Sequence, residues 1–303
     1  LANSLYYQSK YAEAEAEYRA VLALKQKVLG AEHPSTLKTW NNLASAMAEQ
    51  GKYAEAETEY RAIIQLKTKA LGAEHPETLA ARNNLAVLLD YQGKYAQSEA
   101  EDRAIIGIKE KVLGSEHPDT LVTRSNLADA LEADGKYAEA EAEDREVVRL
   151  REQVLGPDHH ATLRTRDDLA KALADQGKYS EAETEYRAVL AAQQKVLKPD
   201  NRDTLRTRDA LANVLAAQGR NAEAEPELRS VLEIEEKTLG PENPDTLSTC
   251  YDLAVCLRSQ GQAQEAAELA RRAADGALKV LGANHSETKK YERLVQELQT
   301  RAG

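Results

Sequence analysis

One tripeptide returns along this chain at a fixed interval, and that interval decides most of what the chain can fold into. Gly-Lys-Tyr stands at Gly51, Gly93, Gly135 and Gly177, each 42 residues after the last, with degenerate copies at Gly219 and Gly261. A second column holds Gly30, Gly72, Gly114, Gly156, Gly240 and Gly282, with Lys198 in its one gap. The two columns take twelve of the fifteen glycines. Glycine is therefore held at turns and kept out of helix interiors, where it costs about 1 kcal/mol relative to alanine. A period of this length marks stacked supersecondary units, each of which buries its apolar face only against its neighbours.

Between the columns the apolar residues recur at helical spacing. From Pro34 they run Leu37, Trp40, Leu43, Ala44 and Met47 until Gly51 stops the pattern, which predicts a first helix, A, with proline in its first turn. From Tyr53 to Leu71 they run Ala56, Tyr60, Ile63, Ile64 and Leu66, which predicts a longer helix B ending at Gly72. The column Ala2, Ala44, Ala86, Ala128, Ala170, Ala212 and Ala254 lets helix A approach its partners closely. A larger residue there is expected to push the pair apart.

Composition supports a thin-layered, all-α protein. There is no Phe, one Met and one Trp, charged residues make up 30% of the chain, and Ala supplies much of the 42% that is apolar. The formal net charge of −11 argues against a nucleic-acid partner, because phosphate binding needs a surplus of Lys and Arg. No apolar run approaches the length of a membrane span and the first residues do not read as a charged-then-apolar leader, so neither a membrane span nor a secretion signal is expected within this sequence. Cys250 and Cys256, six apart on one helix and on different sides of it, are not expected to pair, which suits a reducing, cytoplasmic setting.

The period divides the chain into a partial first repeat (1–30), full repeats at about 31–72, 73–114, 115–156, 157–198, 199–240 and 241–282, and a capping helix at about 286–301. Gln296 stands where the small Ala column would continue, within a segment rich in Lys, Glu, Gln and Arg. That is the composition of a solvating end cap. Leu1-Ala2 aligns with Leu43-Ala44, in the middle of a helix A, so the sequence is expected to be part of a longer protein with more repeats or another domain upstream.

The strings Asn41-Asn42-Leu43-Ala44, Asn83-Asn84-Leu85-Ala86, Gly51-Lys52-Tyr53-Ala54-Glu55-Ala56-Glu57 and Val112-Leu113-Gly114-Ser115-Glu116-His117-Pro118 resemble the tetratricopeptide repeats (TPR) of kinesin light chains. The resemblance covers essentially the whole chain and implies a right-handed superhelical solenoid of 42-residue helix-turn-helix repeats. The near-identical, Phe-free repeats look most like bacterial kinesin light chains associated with tubulin-like filaments. That likeness implies an adaptor linking a cytoskeletal filament to other partners, with peripheral membrane association among them. The heptad region by which kinesin light chains bind their motor has no counterpart here. Repeats of this length also look like the sensor arrays of signalling NTPases, which is the alternative reading.

In such arrays the concave wall is built from helix A. Projection of the helical period from Leu43 places Lys38, Asn41, Ser45 and Ala48 on that wall, and their equivalents in later repeats include Asn83, Val87, Ser125, Arg164, Asp167, Lys171, Arg206, Asp209, Asn213 and Tyr251. Asn41 and Asn83 resemble the family's groove asparagines, which hold the main chain of an extended peptide. An amide suits that task because it both donates and accepts. From Asp167 onward the amides give way to carboxylates, accompanied by Arg164, Arg166, Arg206 and Arg208. The groove thus changes from neutral to charged, although Arg164 and Asp168, at i and i+4, could equally form an exposed pair worth about 0.2–0.5 kcal/mol.

Other columns have plainer readings. Arg82, Arg124, Arg166 and Arg208 suit salt bridges to the many glutamates better than capture of an acidic partner. His33, His75, His117, His159 and His285 recur once per repeat, and packed helices about 10 Å apart hold two such imidazoles too far apart to share a zinc ion. Their expected role is in the loop and helix start, and no metal or cofactor is expected. Tyr11, Tyr53, Tyr95, Tyr137 and Tyr179 open helix B, with Tyr18, Tyr60 and Tyr186 deeper in its stripe. At Asp102 and Asp144 that stripe turns acidic, which is expected to loosen the packing of those repeats or to set a polar patch on the convex side. No phosphate loop, nucleophile elbow or ligand-spaced Cys/His cluster is present, so catalysis is not expected.

Overall fold

The computed structural model describes residues 1–283 and 285–302, with side chains through Thr300. Among the described residues there are fifteen helices and no strand. The chain divides into two compact units, Leu1–Val154 and Leu155–Gly303. The first holds α1 (Ala2–Tyr7), α2 (Tyr11–Leu29), α3 (Pro34–Ala48), α4 (Tyr53–Leu71), α5 (Pro76–Tyr91), α6 (Tyr95–Val112), α7 (Pro118–Ala133) and nearly all of α8 (Tyr137–Leu155). The second holds α9 (His160–Asp175), α10 (Tyr179–Val196), α11 (Arg202–Ala217), α12 (Asn221–Thr238), α13 (Pro244–Ser259), α14 (Ala263–Leu281) and α15 (Ser286–Ala302). Odd-numbered helices up to α13 are helix A, and even-numbered ones are helix B.

The turn from A to B is closed by the first glycine column. Gly51 has φ of 74°, a left-handed conformation that costs an L side chain but not glycine. Its N–H reaches the Ala48 carbonyl at 2.8 Å, and the Lys52 N–H reaches the Met47 carbonyl at 3.0 Å. These two bonds are the Schellman closure, and they satisfy carbonyls that the end of α3 would otherwise leave open. Ser9 occupies the equivalent place after α1 with φ of 58°, the one non-glycine residue of positive φ among the described residues.

Each later helix A begins on a side-chain cap. His33 Nδ1 accepts from the Ser35 N–H at 3.1 Å, and His75, His117, His159 and His285 accept in the same way from the amide two residues on. This gives the histidine column the helix-start role expected of it. Where histidine is missing, Asn201 and Asn243 accept through Oδ1 from Asp203 and Asp245. Asparagine is among the strongest N-cap residues, so the substitution keeps the function. The threonine hydroxyl six residues after the second glycine column donates to the glycine carbonyl in several repeats, as Thr162 does to Gly156, whereas the Thr36 hydroxyl after Gly30 and the Thr204 hydroxyl after Lys198 are buried without a partner.

Each full repeat buries one small residue of the alanine column on helix A and another twelve residues on, on helix B: Ala44 and Ala56, Ala86 and Ser98, Ala128 and Ala140, Ala170 and Ala182, Ala212 and Ala224, and Ala254 and Ala266. Ser98 Oγ donates to the Ala86 carbonyl at 2.9 Å, from α6 to α5. Leucines such as Leu43, Leu85, Leu127, Leu169, Leu211 and Leu253 fill the layer beside it. Cys250 and Cys256 are both buried on α13 and unpaired. At the C-terminal end, α15 packs on α14, buries Thr288, Tyr291, Leu294 and Leu298 and leaves Gln296 exposed, while the Arg301 side chain lies outside the described residues.

The repeats are also joined by a recurrent carboxylate node on helix B. Glu57 accepts from Lys94 of the following repeat at 2.7 Å, from Arg61 at 2.8 Å and from Gln92 at 3.0 Å. Glu15 repeats the arrangement with Lys52, Arg19 and Gln50, and Glu183 with Arg220, Arg187 and Gln218. The Lys94 ammonium above all, helped by Arg61 and Gln92 and opposed by burial, holds the Glu57 carboxyl down at about 2. A depressed folded pKa contributes stability above the unfolded value of about 4.3, and that contribution is lost as pH falls towards about 2. The thermal midpoint of the chain is therefore expected to fall between pH 5 and 2, and Glu57→Gln to flatten that dependence while lowering stability at neutral pH. A scanning-calorimetry series across this range checks both, and an unaltered slope in the variant would count against the node.

Candidate partner-binding groove

Helix A presents the wall residues because Leu43 and its equivalents fix the buried side of the helix, leaving the positions two before and two after each leucine at the edge of the core. Of the expected residues, Lys38, Asn41, Ser45, Val87, Arg164, Asp167 and Arg206 line clefts along the A helices. In the first unit a cleft of about 500 Å³ between α3 and α5 is lined by Lys38, Asn41, Asn42, Lys67, Ala80 and Asn84, among others. A smaller one of about 180 Å³ takes in Tyr6, Ser45, Ala48, Tyr60 and Val87. In the second unit a cleft of about 310 Å³ between α9 and α11 holds Arg164, Asp167, Asp168, Gln193 and Arg206.

Many of these side chains first serve the wall itself. Asn41 Oδ1 accepts from Asn84 of the next helix A at 3.2 Å, and Asn83 Oδ1 accepts from the Thr123 hydroxyl at 3.1 Å. The NH2 groups of Asn41 and Asn83 make no hydrogen bond among the described residues. Ser45 Oγ bonds the Asn41 carbonyl at 3.1 Å and lies 2.7 Å from the Tyr60 hydroxyl. The Ser125 hydroxyl is buried without a partner. Asp167 accepts from Thr207 at 2.8 Å, and burial raises its pKa. Asn213 bridges Asp209 at 3.1 Å and Asp252 of the next helix A at 2.9 Å. Burial, then the nearby Asp252 carboxylate, pushes Asp209 well above the usual carboxylate range. Lys171 pairs with Asp175 at 3.7 Å. Tyr251 stacks on Tyr291 at 4.8 Å, and the Lys290 ammonium sits 4.5 Å from its ring centre.

The arginine ladder is internal, as its sequence pattern suggested. Arg82 pairs with Glu101 at 2.7 Å, Arg124 with Glu143 at 2.7 Å and Glu110 at 2.6 Å, Arg166 with Glu185 at 2.8 Å, and Arg208 with Glu227 at 2.8 Å. Trp40, at the head of the ladder, donates to Glu59 from its indole nitrogen. By contrast, Lys38, Arg164 and Arg206 form no ion pair among the described residues and are exposed.

The polar convex patch expected of Asp102 and Asp144 is not present. Asp102 is fully buried and Asp144 is 3% exposed, because both lie on the core stripe that tyrosine fills in other repeats. Sequence reasoning also passed over a buried cation on helix B. Lys25 donates to Ser35 and Thr39, Lys67 to Glu77, and Lys109 to the Asp119 carbonyl and the Thr123 hydroxyl. The signal was available, since the residue recurs every 42 positions and changes to Gln193 and Glu235 in the second unit.

Among the described residues no group of three or more His, Cys, Asp or Glu is placed to hold a metal ion, and no helix is long and apolar enough to cross a membrane. The geometry is that of an interaction array. The sequence profile of the tetratricopeptide repeat family matches residues 1–61, 35–110, 91–153, 119–195, 169–234 and 203–279, and the chain belongs to that family. Within it, the chain is similar to a Podosopora anserina protein of nearly identical TPR-like repeats described as a kinesin light chain. The identity is 30%, over 69% of this chain and 100% of that one, with a TM-score of 0.58. It shares its fold with BtubC (BKLC) of P. vanneervenii, at 18% identity over 77% and 91% of the two chains and a TM-score of 0.61. It also shares it with a signal transduction ATPase with numerous domains from Pyrococcus horikoshii that carries a tetratricopeptide repeat sensor. There the identity is 12%, the coverage 98% of this chain and 43% of that one, and the TM-score 0.70. No curated protein matches the sequence significantly.

Proposed function

We propose that this chain is a non-catalytic adaptor of the kinesin light chain type, holding a tubulin-like filament or an extended peptide on the helix A walls, in the cytoplasm. The observation that carries the reading is the contrast between two sets of cations. Arg82, Arg124, Arg166 and Arg208 are all tied to glutamates, whereas Lys38, Arg164 and Arg206 stand exposed on the wall with no ion pair among the described residues. The unengaged NH2 groups of Asn41 and Asn83 add main-chain donors of the kind an extended peptide can use. The surplus of acidic residues elsewhere makes these cations the natural contact for an acidic partner surface.

The test is affinity capture from the native cell followed by mass spectrometry, with the wild-type chain, Asn41→Leu/Asn83→Leu and Arg164→Glu/Arg206→Glu as baits. Recovery of a tubulin-like protein by the wild type, reduced at least about tenfold in both variants with unchanged circular dichroism, is the expected result. Equal capture by all three baits would overturn the groove reading. Recovery of a nucleotide-binding protein instead would turn the assignment to the sensor array of a signalling NTPase.

A further inference from the structure

The clefts between α3 and α5 and between α9 and α11 are built from equivalent positions, yet their electrostatics are opposite. In the first, the floor carries Lys67, whose ammonium is bonded to the Glu77 carbonyl at 3.1 Å and to its carboxylate at 3.2 Å. In the second, the floor carries Gln193, 4% exposed. Its NH2 donates to the Thr207 hydroxyl at 3.0 Å, and that hydroxyl donates onward to Asp167 at 2.8 Å. The one hydrogen of the Thr207 hydroxyl has two acceptors, Asp167 and the Asp203 carbonyl at 3.0 Å, and whichever it serves the hydroxyl must accept from the Gln193 NH2, which orients the amide. Gln193 Oε1 is thereby left buried with no partner.

A buried acceptor without a donor is costly and asks for a ligand that brings one. Beside it lies the Asp167 carboxylate, half-buried, with Thr207 as its bonded partner. The rim changes in the opposite sense. Ala80 of the first cleft is replaced by Arg206, which joins Arg164, and both guanidinium groups are exposed without an ion pair among the described residues. The cleft therefore has an acceptor floor and a rim that sets Arg164 and Arg206 beside Asp168, Asp203 and His160, within about 310 Å³, the lower end of the range for small-molecule pockets.

We propose that this cleft binds a small zwitterion of the amino-acid class, its ammonium group held by Gln193 Oε1 and Asp167 and its carboxylate by Arg164 and Arg206. Neither charge alone satisfies the site. A simple anion leaves the floor acceptor unmet, and a simple amine leaves the two arginines idle. Guanidinium groups also suit a carboxylate in geometry, offering paired donors to its two oxygens. The Leu163, Val196 and Leu197 side chains lining the cleft give room for an apolar substituent. Arg164 and Arg206 also carry the adaptor reading, but binding of a free amino acid is measured without a protein partner, so failure of one reading is distinguishable from failure of the other.

Titration calorimetry on the full chain tests the proposal with three sets of probes: free L-amino acids, their N-acetyl derivatives, and their amides lacking the carboxylate. Saturable binding is expected for at least one free amino acid, and weaker binding by at least about tenfold for both of its derivatives. Gln193→Lys and Arg206→Ala restore the residues found at Lys67 and Ala80, so both variants are expected to fold, checked by circular dichroism, and each to lose the same factor in affinity. An N-acetyl acid that binds as well as the free one would show an anion site and overturn the proposal. So would the absence of binding by every free amino acid, or binding that survives both substitutions.

Discussion

Asp102→Leu raises the thermal midpoint of the first unit by several degrees. Both oxygens of Asp102 are buried with no hydrogen-bond partner, at a position that Tyr18, Tyr60 and Tyr186 fill elsewhere and where Leu228 is fully buried in the second unit. Removing an unpaired buried polar group recovers its desolvation penalty, about 1–3 kcal/mol, and leucine adds apolar contact in its place. Burial first, then the carboxylates of Asp90 and Glu101, opposed by the Lys109 ammonium and joined by Asp129, pushes the Asp102 carboxyl up to about 8. The folded chain thus binds a proton that the unfolded chain, with a carboxyl near 3.9, releases. Stability that is full below about pH 4 is lost as pH rises through about 8, and Asp102→Leu removes that loss. Calorimetry of the two proteins between pH 5 and 9 reads both effects. A variant with the wild-type slope and midpoint would show that Asp102 is hydrated in solution.

Ala86→Leu acts in the opposite direction. Ala86 is fully buried at the crossing of α5 and α6, opposite Ser98, whose hydroxyl touches its carbonyl at 2.9 Å. Three added carbon atoms have no space there, and overpacking of this kind costs about 1–3 kcal/mol and sometimes more. In an array whose stability is a sum of repeat and nearest-neighbour terms, the cost falls on one repeat and its contacts. Native-state hydrogen exchange is expected to show α5 and α6 losing protection before the rest of their unit. Unchanged protection in those two helices would mean that the crossing can open without loss, against the reading of the small-residue column as the element that sets helix approach.

Much of this architecture was legible from spacing. The glycine columns set the turns, helix B was predicted at Tyr53 to Leu71 and is found there, and the histidine and arginine columns took the structural roles assigned to them. What spacing does not convey is which end of an amphipathic side chain is covered. Lys67 is 5% exposed because a backbone carbonyl at the next helix start meets its ammonium, and no periodicity in its own helix shows that carbonyl. Asp102 misled for the related reason that a charged side chain reads as surface, whereas a carboxyl that keeps its proton can stay inside. The bonds that the expected wall residues make to one another arise between neighbouring repeats, which spacing within one helix does not show. The unpaired Gln193 oxygen was beyond reach because it depends on the direction of a three-residue hydrogen-bond chain.

The lysine of the Gly-Lys-Tyr signature closes its own repeat through its main chain and clasps the previous one through its side chain, as Lys94 does with Leu89 and Glu57. Donor and acceptor therefore travel 37 residues apart within one 42-residue period. A gene segment duplicated or deleted in whole periods carries one donor and one acceptor, whatever its starting point, and the preserved register lets them pair across the seam. The array can lengthen or shorten by unequal recombination without a redesigned junction, so its copy number is free to change to match the size of what it holds.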